Sequence, residues 1–183
     1  MQPTTLKPTV LWFTGYSGAG KTTIATHLAA RLSETGRAPV LLDGDQVRRG
    51  LTSDLGFSDA DRAENMRRVA EVARLLVDSG ITVIVALISP LRRDRDMVRE
   101  KFVPGTFVEV FIDTPLDVAE ARDVKGLYRR ARAGQIPQFT GVDSAYEPPT
   151  HPEVRIDTLQ LSADAAADEL ARYLLLHCSE DRG

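Results

Sequence analysis

Short runs of apolar residues recur along the chain and predict the strands of a buried sheet. Residues 81–88 are apolar almost without alternation, which is typical of a central parallel strand covered on both faces. Glycine or proline follows closely after most of these runs and ends them. The predicted strands are 10–14, 40–43, 81–88 and 107–112, and a fifth falls within 154–161.

Apolar residues at helical spacing lie between the predicted strands. Ile24, Leu28 and Leu32, for example, form one stripe, and Gly36 ends the helix that carries them. This alternation of strands and helices predicts an α/β fold with a mainly parallel sheet and helices on both faces. The predicted helices are 21–35, 59–79, 92–101, a short one after residue 115, and a last one after the candidate N-cap Ser162.

The chain is predicted to form a single domain over residues 10–183, preceded by a short disordered leader over residues 1–9. Residues 122–149 are polar and rich in Gly, Pro and Arg. A segment of this length is too long for an idle connection in a compact domain. We therefore interpret residues 122–149 as a lid, that is, a mobile binding segment.

Composition excludes several classes of partner. The 183 residues carry a formal net charge of −3, so no global positive charge favours nucleic acid or an anionic membrane. No apolar run is long enough to span a membrane. The single cysteine, Cys178, cannot form an internal disulfide, and we interpret it as a small buried apolar residue. These features predict a cytoplasmic protein that binds neither nucleic acid nor membrane.

A glycine-rich segment between the first strand and the first helix matches the pattern G-x-x-x-x-G-K-[ST] over residues 15–22. Such a loop needs glycines because its backbone N–H groups must converge on phosphate oxygens. Lys21 is the candidate cation for the β- and γ-phosphates, and the Thr22 hydroxyl is a candidate ligand of Mg²⁺. The motif indicates binding of a nucleoside triphosphate but does not separate kinases from GTPases or motor ATPases. The candidate ATP-binding residues are Gly15, Ser17, Gly18, Ala19, Gly20, Lys21, Thr22 and Thr23.

Two aspartates follow the second predicted strand, at the edge where ligands bind in sheets of this class. Gly44 is predicted to make a tight bend between Asp43 and Asp45, so that both carboxylates point toward the phosphates. One carboxylate could orient hydrated Mg²⁺ and the other could accept a proton from an attacking hydroxyl. Asp45 is the candidate for the proton, and it is also a candidate ligand of Mg²⁺ through water. Two solvated aspartates in a turn are the alternative. We find no N/T-K-x-D segment of the kind that GTPases use to read guanine, which favours a kinase.

Further segments along the chain form a characteristic set together with residues 15–23 and 42–45. They are residues 50–51, 54–58, 61–62, 64–65, 88–90, 94–96, 122–128, 139–143 and 146–149. In these segments the chain resembles the adenylyl-sulfate kinase (APS kinase) family of phosphate-loop NTPases. The resemblance implies a three-layer fold with a five-stranded parallel sheet, a mobile lid and a homodimer. It also implies transfer of phosphate from ATP, with Mg²⁺, to the 3′-hydroxyl of adenylyl sulfate.

The resemblance further implies roles for residues that would bind the acceptor. Phe57 and Phe139 would enclose the substrate adenine, although hydrophobic residues that anchor loops are the alternative. Arg48 and Arg62 are expected to clamp the phosphosulfate, because a planar guanidinium can form two parallel bonds to an oxyanion. Asn65 should lie on the same helix face as Arg62. A solvated, charged helix face is the alternative for this region.

The turn after the third strand and the lid supply the remaining candidates. Backbone N–H groups of Ile88 and Ser89 could hold the substrate. In some members of the family the matching serine is phosphorylated, but direct in-line transfer needs only positioning and charge neutralisation, so the role of Ser89 stays open. Arg122 could cover the ATP adenine and Lys125 could meet phosphates, and the resemblance places Leu127 at the substrate. Lid closure would exclude water, which competes as acceptor.

Three residues depart from the usual pattern of the family: Gln46 replaces asparagine, Leu91 replaces tyrosine and Val124 replaces proline. None removes a group that the transfer requires. Val124 could loosen the lid hinge, and the replacements could change the affinity for the acceptor. Two alternatives therefore stay open, a kinase for another small hydroxylated acceptor and a catalytically silent nucleotide-binding module. The predicted partners are ATP, adenylyl sulfate and a second copy of the chain, with an ATP sulfurylase as a further candidate.

Overall fold

A sheet of five parallel strands runs through the computed structural model, which describes residues 6–179. The strand order is β2-β3-β1-β4-β5, and every neighbouring pair is parallel. The predicted five-stranded parallel sheet is therefore confirmed. The strands are β1 (Val10–Thr14), β2 (Val40–Asp43), β3 (Val83–Ala86), β4 (Phe107–Asp113) and β5 (Val154–Asp157).

Helices connect the strands and cover both faces of the sheet. Ser162 caps the last helix as predicted, since its side chain accepts a hydrogen bond from the backbone N–H of Ala165. Two short helices were not predicted: one follows β2 directly, and the other lies inside the lid. The helices are α1 (Lys21–Glu34), α2 (Gly44–Arg49), α3 (Asp59–Asp78), α4 (Arg92–Arg99), α5 (Leu116–Arg122), α6 (Leu127–Arg132) and α7 (Ala163–His177).

Strand β1 is the central strand, and its side chains belong to two separate hydrophobic clusters. Leu11 and Phe13 point into the cluster that α1 and α7 cover. Val10 and Trp12 point the other way, into the cluster beneath α3 and α4. Successive side chains of a strand alternate between faces, so an uninterrupted apolar strand requires a helical layer on each side. The burial of all four side chains confirms the double coverage expected of this sheet.

Two predicted boundaries need correction. The predicted strand 81–88 is regular only over β3, because the backbone N–H of Ile81 still bonds to Leu76 at the end of α3. The predicted leader is too long at its C-terminal end, since Leu6 pairs with Ser179 and Thr9 is fully buried. Residues 1–5 of that leader lie outside the described part of the chain, as do residues 180–183. Within residues 6–179, no helix is both long enough and apolar enough to cross a membrane.

Candidate active site

The phosphate loop, residues 15–22, joins β1 to α1, and at two of its glycines the neighbouring backbone leaves no room for a side chain. Gly15 and Gly18 have φ values of 150° and 76°. A Cβ atom at Gly15 would lie 2.6 Å from the carbonyl oxygen of Ile112, and one at Gly18 would lie 2.7 Å from that of Ala119. Both glycines are therefore needed for the loop to pack against its neighbours. The loop ends at the N-terminus of α1, where free N–H groups and the helix dipole favour an anion.

The Lys21 side chain is folded back into this loop. Its Nζ donates to the carbonyl oxygens of Gly15 and Tyr16 at 2.8 and 2.6 Å, and the residue is 8% exposed. Burial, assisted by the nearby charge of Lys125, lowers the pKa of Lys21 to about 7. The amine is therefore poised to gain a proton when phosphates replace the two carbonyl groups.

ATP binding is accordingly expected to take up protons from solution. At about pH 8 the free protein would hold most of this amine uncharged, because its pKa is lowered to about 7, and anionic phosphates would restore its charge. Calorimetric titrations with ATP in buffers of different ionisation enthalpy should reveal net proton uptake at this pH. The uptake should fade below about pH 6, where the amine is already charged. The same uptake in the Lys21→Met variant would contradict this assignment.

The two aspartates after β2 have different surroundings. Asp43 accepts hydrogen bonds from Thr22 Oγ1 at 2.7 Å and from the backbone N–H of Asp45 at 2.9 Å. It is thus the N-cap of α2 and also a partner of the phosphate loop. Asp45 lies in the first turn of α2, and its carboxylate pairs with Lys125 of the lid. Asp45 is the more accessible carboxylate, and therefore the better candidate for contact with a substrate.

The tight bend predicted at Gly44 is wrong. The chain passes from β2 straight into α2, whose first residue is Gly44. A Cβ atom at this position would lie 3.1 Å from Leu87 Cδ2 and 3.4 Å from the carbonyl oxygen of Ala86. Glycine is therefore used here for the close approach of α2 to the end of β3.

Five predicted acceptor residues, Arg48, Phe57, Arg62, Asn65 and Phe139, lie on the wall of one cavity and form what we call the acceptor side. Phe57 is 53% exposed, and the Arg48 guanidinium carbon lies 4.3 Å from the centre of its ring. Phe139 instead is buried, with Tyr128 edge-on at 5.0 Å. The alternative for Phe139, a hydrophobic residue that anchors its loop, therefore agrees with the structure, because Phe139 belongs to a small core beneath the lid.

Arg62 fastens α3 to the lid. Its Nε donates to the carbonyl oxygen of Phe57 at 2.9 Å and its Nη1 donates to Thr140 Oγ1 at 2.8 Å. Its Nη2 donates to the carbonyl oxygen of Gln138. The guanidinium is buried, and each of its three nitrogens donates to a protein group in this conformation. These bonds leave two of its five N–H donors for a role as an oxyanion clamp.

The turn after β3 is held in an unusual conformation. Ser89 has a φ of 47°, which is uncommon for a residue with a side chain. Its Oγ accepts a hydrogen bond from the indole N–H of Trp12 at 2.9 Å, and it is buried. An indole N–H can only donate, so Trp12 cannot act as a base toward this hydroxyl. The Ile88 carbonyl is occupied as well, since it accepts from Thr14 Oγ1 at 2.8 Å.

The lid packs against the phosphate loop. Arg122 Nη1 lies 3.5 Å from the carbonyl oxygens of both Gly18 and Ala19. The Tyr128 hydroxyl donates to the carbonyl oxygen of Ser17 at 2.9 Å, and burial raises the pKa of this hydroxyl, so it remains a donor. The described conformation therefore has the lid in contact with the nucleotide-binding loop.

The family model described as adenylylsulphate kinase matches residues 7–157 of the chain. The chain belongs to the adenylylsulphate kinase family. The adenylyl-sulfate kinase of Marinobacter nauticus is 58% identical over 168 residues, which are 92% of this chain and 84% of that protein.

Solved structures of APS kinases share the fold of this kinase. The Mycobacterium tuberculosis APS kinase CysC, in a complex with AMPPNP and APS, has a TM-score of 0.88 and 46% identity over 94% of this chain and 99% of that chain. A hexameric APS kinase from Thiobacillus denitrificans has a TM-score of 0.69 and 37% identity, over 92% of this chain and 29% of that chain.

In this kinase, almost all of the predicted site residues line a single cavity of about 900 Å³. Gly15 is the exception, because it packs beneath the loop against Ile112. The structure thus brings the predicted set together, while their roles toward substrates stay predictions. The predicted residues on the cavity wall are Ser17, Gly18, Ala19, Gly20, Lys21, Thr22, Thr23, Asp43, Asp45, Arg48, Phe57, Arg62, Asn65, Ile88, Ser89, Arg122, Lys125, Leu127 and Phe139.

Two residues that were not predicted from the sequence contact site residues from outside the cavity wall. The Tyr146 hydroxyl lies 3.0 Å from Thr14 Oγ1, and its ring packs 4.6 Å from that of Tyr16 in the phosphate loop. Arg95, which is almost fully buried, holds the Ser89 turn. Both residues lie in the segments that carry the family resemblance, which was the available signal. Their contacts join distant parts of the chain, so periodicity could not reveal what they do.

Proposed function

We propose that this kinase transfers the γ-phosphate of ATP to the 3′-hydroxyl of adenylyl sulfate and releases ADP and 3′-phosphoadenylyl sulfate. The observation that carries the proposal is the single cavity that both the phosphate loop and the acceptor side line. In-line phosphoryl transfer requires the donor and the acceptor in one space from which water can be excluded. The M. tuberculosis relative, solved with AMPPNP and APS together, supports this pair of substrates.

On the donor side, the phosphate loop would bind the triphosphate through its N–H groups. Lys21 would leave the carbonyl groups of Gly15 and Tyr16 and contact the β- and γ-phosphates. Arg122 already lies across the loop and would cover the adenine. The loop and Arg122 are positioned before the ligand arrives, which lowers the cost of binding, whereas Lys21 must change its partners.

On the acceptor side, the exposed ring of Phe57 and the cavity-facing Phe139 would enclose the adenine of adenylyl sulfate. Arg48 and Arg62 would meet the phosphosulfate group, whose two anionic centres call for cations with several donors. Asn65 is fixed at the wall because its Oδ1 accepts a hydrogen bond from Thr52 Oγ1 at 2.7 Å. Ile88, Ser89, Lys125 and Leu127 complete this part of the proposed site.

Asp45 is the proposed base that accepts the proton of the 3′-hydroxyl. Its carboxylate pairs with Lys125, and both side chains are more than half exposed. An exposed pair of this kind contributes at most about 1 kcal/mol, so a substrate hydroxyl can replace Lys125 at low cost. The released Lys125 would then be free to contact a phosphate oxygen. This exchange would couple lid position to the arrival of the acceptor.

Mg²⁺ is the proposed cofactor, held by Thr22 and, through water, by Asp45. The hydroxyl and carboxylate oxygens of Thr22, Asp43 and Asp45 are the kind of ligand that Mg²⁺ prefers, and Thr22 Oγ1 lies 2.7 Å from Asp43 Oδ2. In the described residues, no group of three or more His, Cys, Asp or Glu side chains could hold a metal by itself. This fits an ion shared with ATP. Bound Mg²⁺ would neutralise charge on the β- and γ-phosphate oxygens.

The decisive experiment is an assay of the purified protein with ATP, Mg²⁺ and adenylyl sulfate, with ADP release and the nucleotide product both measured. We expect stoichiometric formation of ADP and 3′-phosphoadenylyl sulfate. Adenosine 5′-phosphate, a sugar and a nucleoside serve as matched alternative acceptors. Faster turnover with one of these would replace the proposed acceptor. Tight binding of adenylyl sulfate without any ADP release would indicate a catalytically silent module.

The assembly and location of this kinase stay predictions. We propose a homodimer, although the hexameric T. denitrificans relative indicates that assembly varies among similar proteins. A cytoplasmic location is favoured by the single cysteine, which is buried as predicted. Association with an ATP sulfurylase would supply adenylyl sulfate directly, and gel filtration of the mixed proteins would test it.

A further inference from the structure

Arg95 of α4 ties together three segments that are distant in sequence. Its Nε donates to Glu109 Oε1 of β4 at 2.7 Å. Its Nη1 donates to the carbonyl oxygen of Ser89 and its Nη2 to that of Glu147, both at 2.7 Å. The side chain is 2% exposed, and Arg95 is not among the described residues on the cavity wall. A buried cation with all its partners satisfied specifies geometry more than it adds stability.

The first of these segments is the strained turn at Ser89. A residue with a side chain keeps a positive φ only where its surroundings over-determine it. Here the Ser89 carbonyl accepts a hydrogen bond from Arg95, while its hydroxyl is held by Trp12. These contacts set the direction of the backbone along residues 88–90, which lie on the cavity wall.

The second segment is the end of the lid. Besides the bond from Arg95, the Glu147 backbone N–H donates to the carbonyl oxygen of Pro90 at 2.8 Å. The Glu147 carboxylate accepts from the backbone N–H of Arg92 at 2.8 Å, at the start of α4. The lid therefore ends on the same turn that faces the cavity, and Arg95 is the residue that contacts both.

We infer that Arg95 is a positioning residue for the acceptor, acting through the Ser89 turn and the end of the lid. This inference rests on the proposed function, because it assumes that the wall at residues 88–90 meets adenylyl sulfate. Arg95 would hold the Ser89 backbone in its left-handed conformation and keep the lid end at a fixed distance from it. Glu109 would keep the guanidinium in place and balance its charge. Arg95 forms no hydrogen bond with the phosphate loop, so its loss is expected to affect ATP binding less than acceptor binding.

The test compares Arg95→Gln with the wild-type enzyme in steady-state assays that vary each substrate separately. The kcat/KM for adenylyl sulfate is expected to fall about 10- to 100-fold, because a displaced wall misplaces the acceptor. The KM for ATP should stay within about twofold of the wild-type value. Arg95→Lys keeps the charge opposite Glu109 but cannot span three acceptors, so an intermediate value is expected.

Arg99→Gln is the matched control. Arg99 lies one turn further along α4 and also contacts Glu109, but its other carboxylate partner is Glu153. Loss of Arg99 therefore disturbs the same buried carboxylate while leaving the Ser89 and Glu147 bonds intact. Its kcat/KM for adenylyl sulfate should remain within about twofold of the wild-type value.

Each outcome decides the inference. Unchanged kcat/KM for adenylyl sulfate in a folded Arg95→Gln variant would overturn it, and so would an equal rise in both KM values. Thermal melting identifies the folded variants, and if Arg95→Gln does not fold, Arg95→Lys decides by the same criterion. Absence of turnover in the wild-type enzyme would instead count against the proposed function, so the two failures are distinguishable.

Discussion

Replacing Asp45 by asparagine is expected to lower kcat about 1,000-fold while the KM for ATP changes little. The amide keeps the size of the side chain and its place in the first turn of α2, but it cannot accept the proton of the 3′-hydroxyl. General-base catalysis contributes about 10²- to 10⁴-fold, and no other carboxylate on the cavity wall is as accessible. The measurement is ADP release under saturating ATP and adenylyl sulfate.

Two further variants separate loss of the base from loss of the ion pair with Lys125. Lys125→Met removes the same pair but leaves the carboxylate, so kcat should fall far less than in Asp45→Asn. Asp164→Asn removes a carboxylate that pairs with His27 and Arg31 away from the cavity, and it should leave kcat unchanged. A loss of less than about tenfold in Asp45→Asn would remove Asp45 from the mechanism.

The Lys21→Met variant is expected to lose about 10²- to 10³-fold in kcat, as for removal of a donor aimed at transition-state charge. Methionine keeps the unbranched apolar stem of lysine but lacks the amine, so it removes the charge and the two hydrogen bonds to the loop while retaining the packing of the stem. Charge that develops on the transferring phosphoryl group would then lack its closest protein cation. Steady-state kinetics and calorimetric ATP binding measure the two effects separately.

Lys101→Met is the matched control, because Lys101 pairs with Glu71 outside the cavity. It should reproduce the wild-type kinetics. An equal loss of kcat in both lysine variants would indicate a general loss of charge or folding. Near-normal kcat in Lys21→Met would show that the transfer does not depend on this amine.

Much of the fold could be predicted because burial on both faces leaves the strands apolar without interruption. The bounds of β1 and β2 agree with the prediction, and β3 was too long because the apolar run continues beyond its paired part. Helix α2 was missed although its signals were present: Asp43 is an N-cap and Asp45 is an acid in the first turn. A strand that passes straight into a helix leaves no loop residues to separate the two patterns.

The residues of the candidate site could be predicted from the sequence, but the contacts among them could not. Local motifs supplied the phosphate loop and the two aspartates, and the family resemblance supplied the acceptor side. The contacts that organise these residues join positions far apart in sequence, such as Trp12 with Ser89 and Arg62 with Thr140. Such pairings follow from tertiary structure and leave no periodic signal.

The packing of β1 against both helical layers determines how a destabilising change in one layer affects the rest of the molecule. Because one five-residue strand supplies side chains to both cores, unfolding of one helical layer is expected to destabilise the other. A cavity created beneath α7, away from the candidate active site, would therefore destabilise β1 and with it the phosphate loop that follows β1. Inherited or engineered changes at the back of the sheet should accordingly lower the amount of competent enzyme without altering its chemistry.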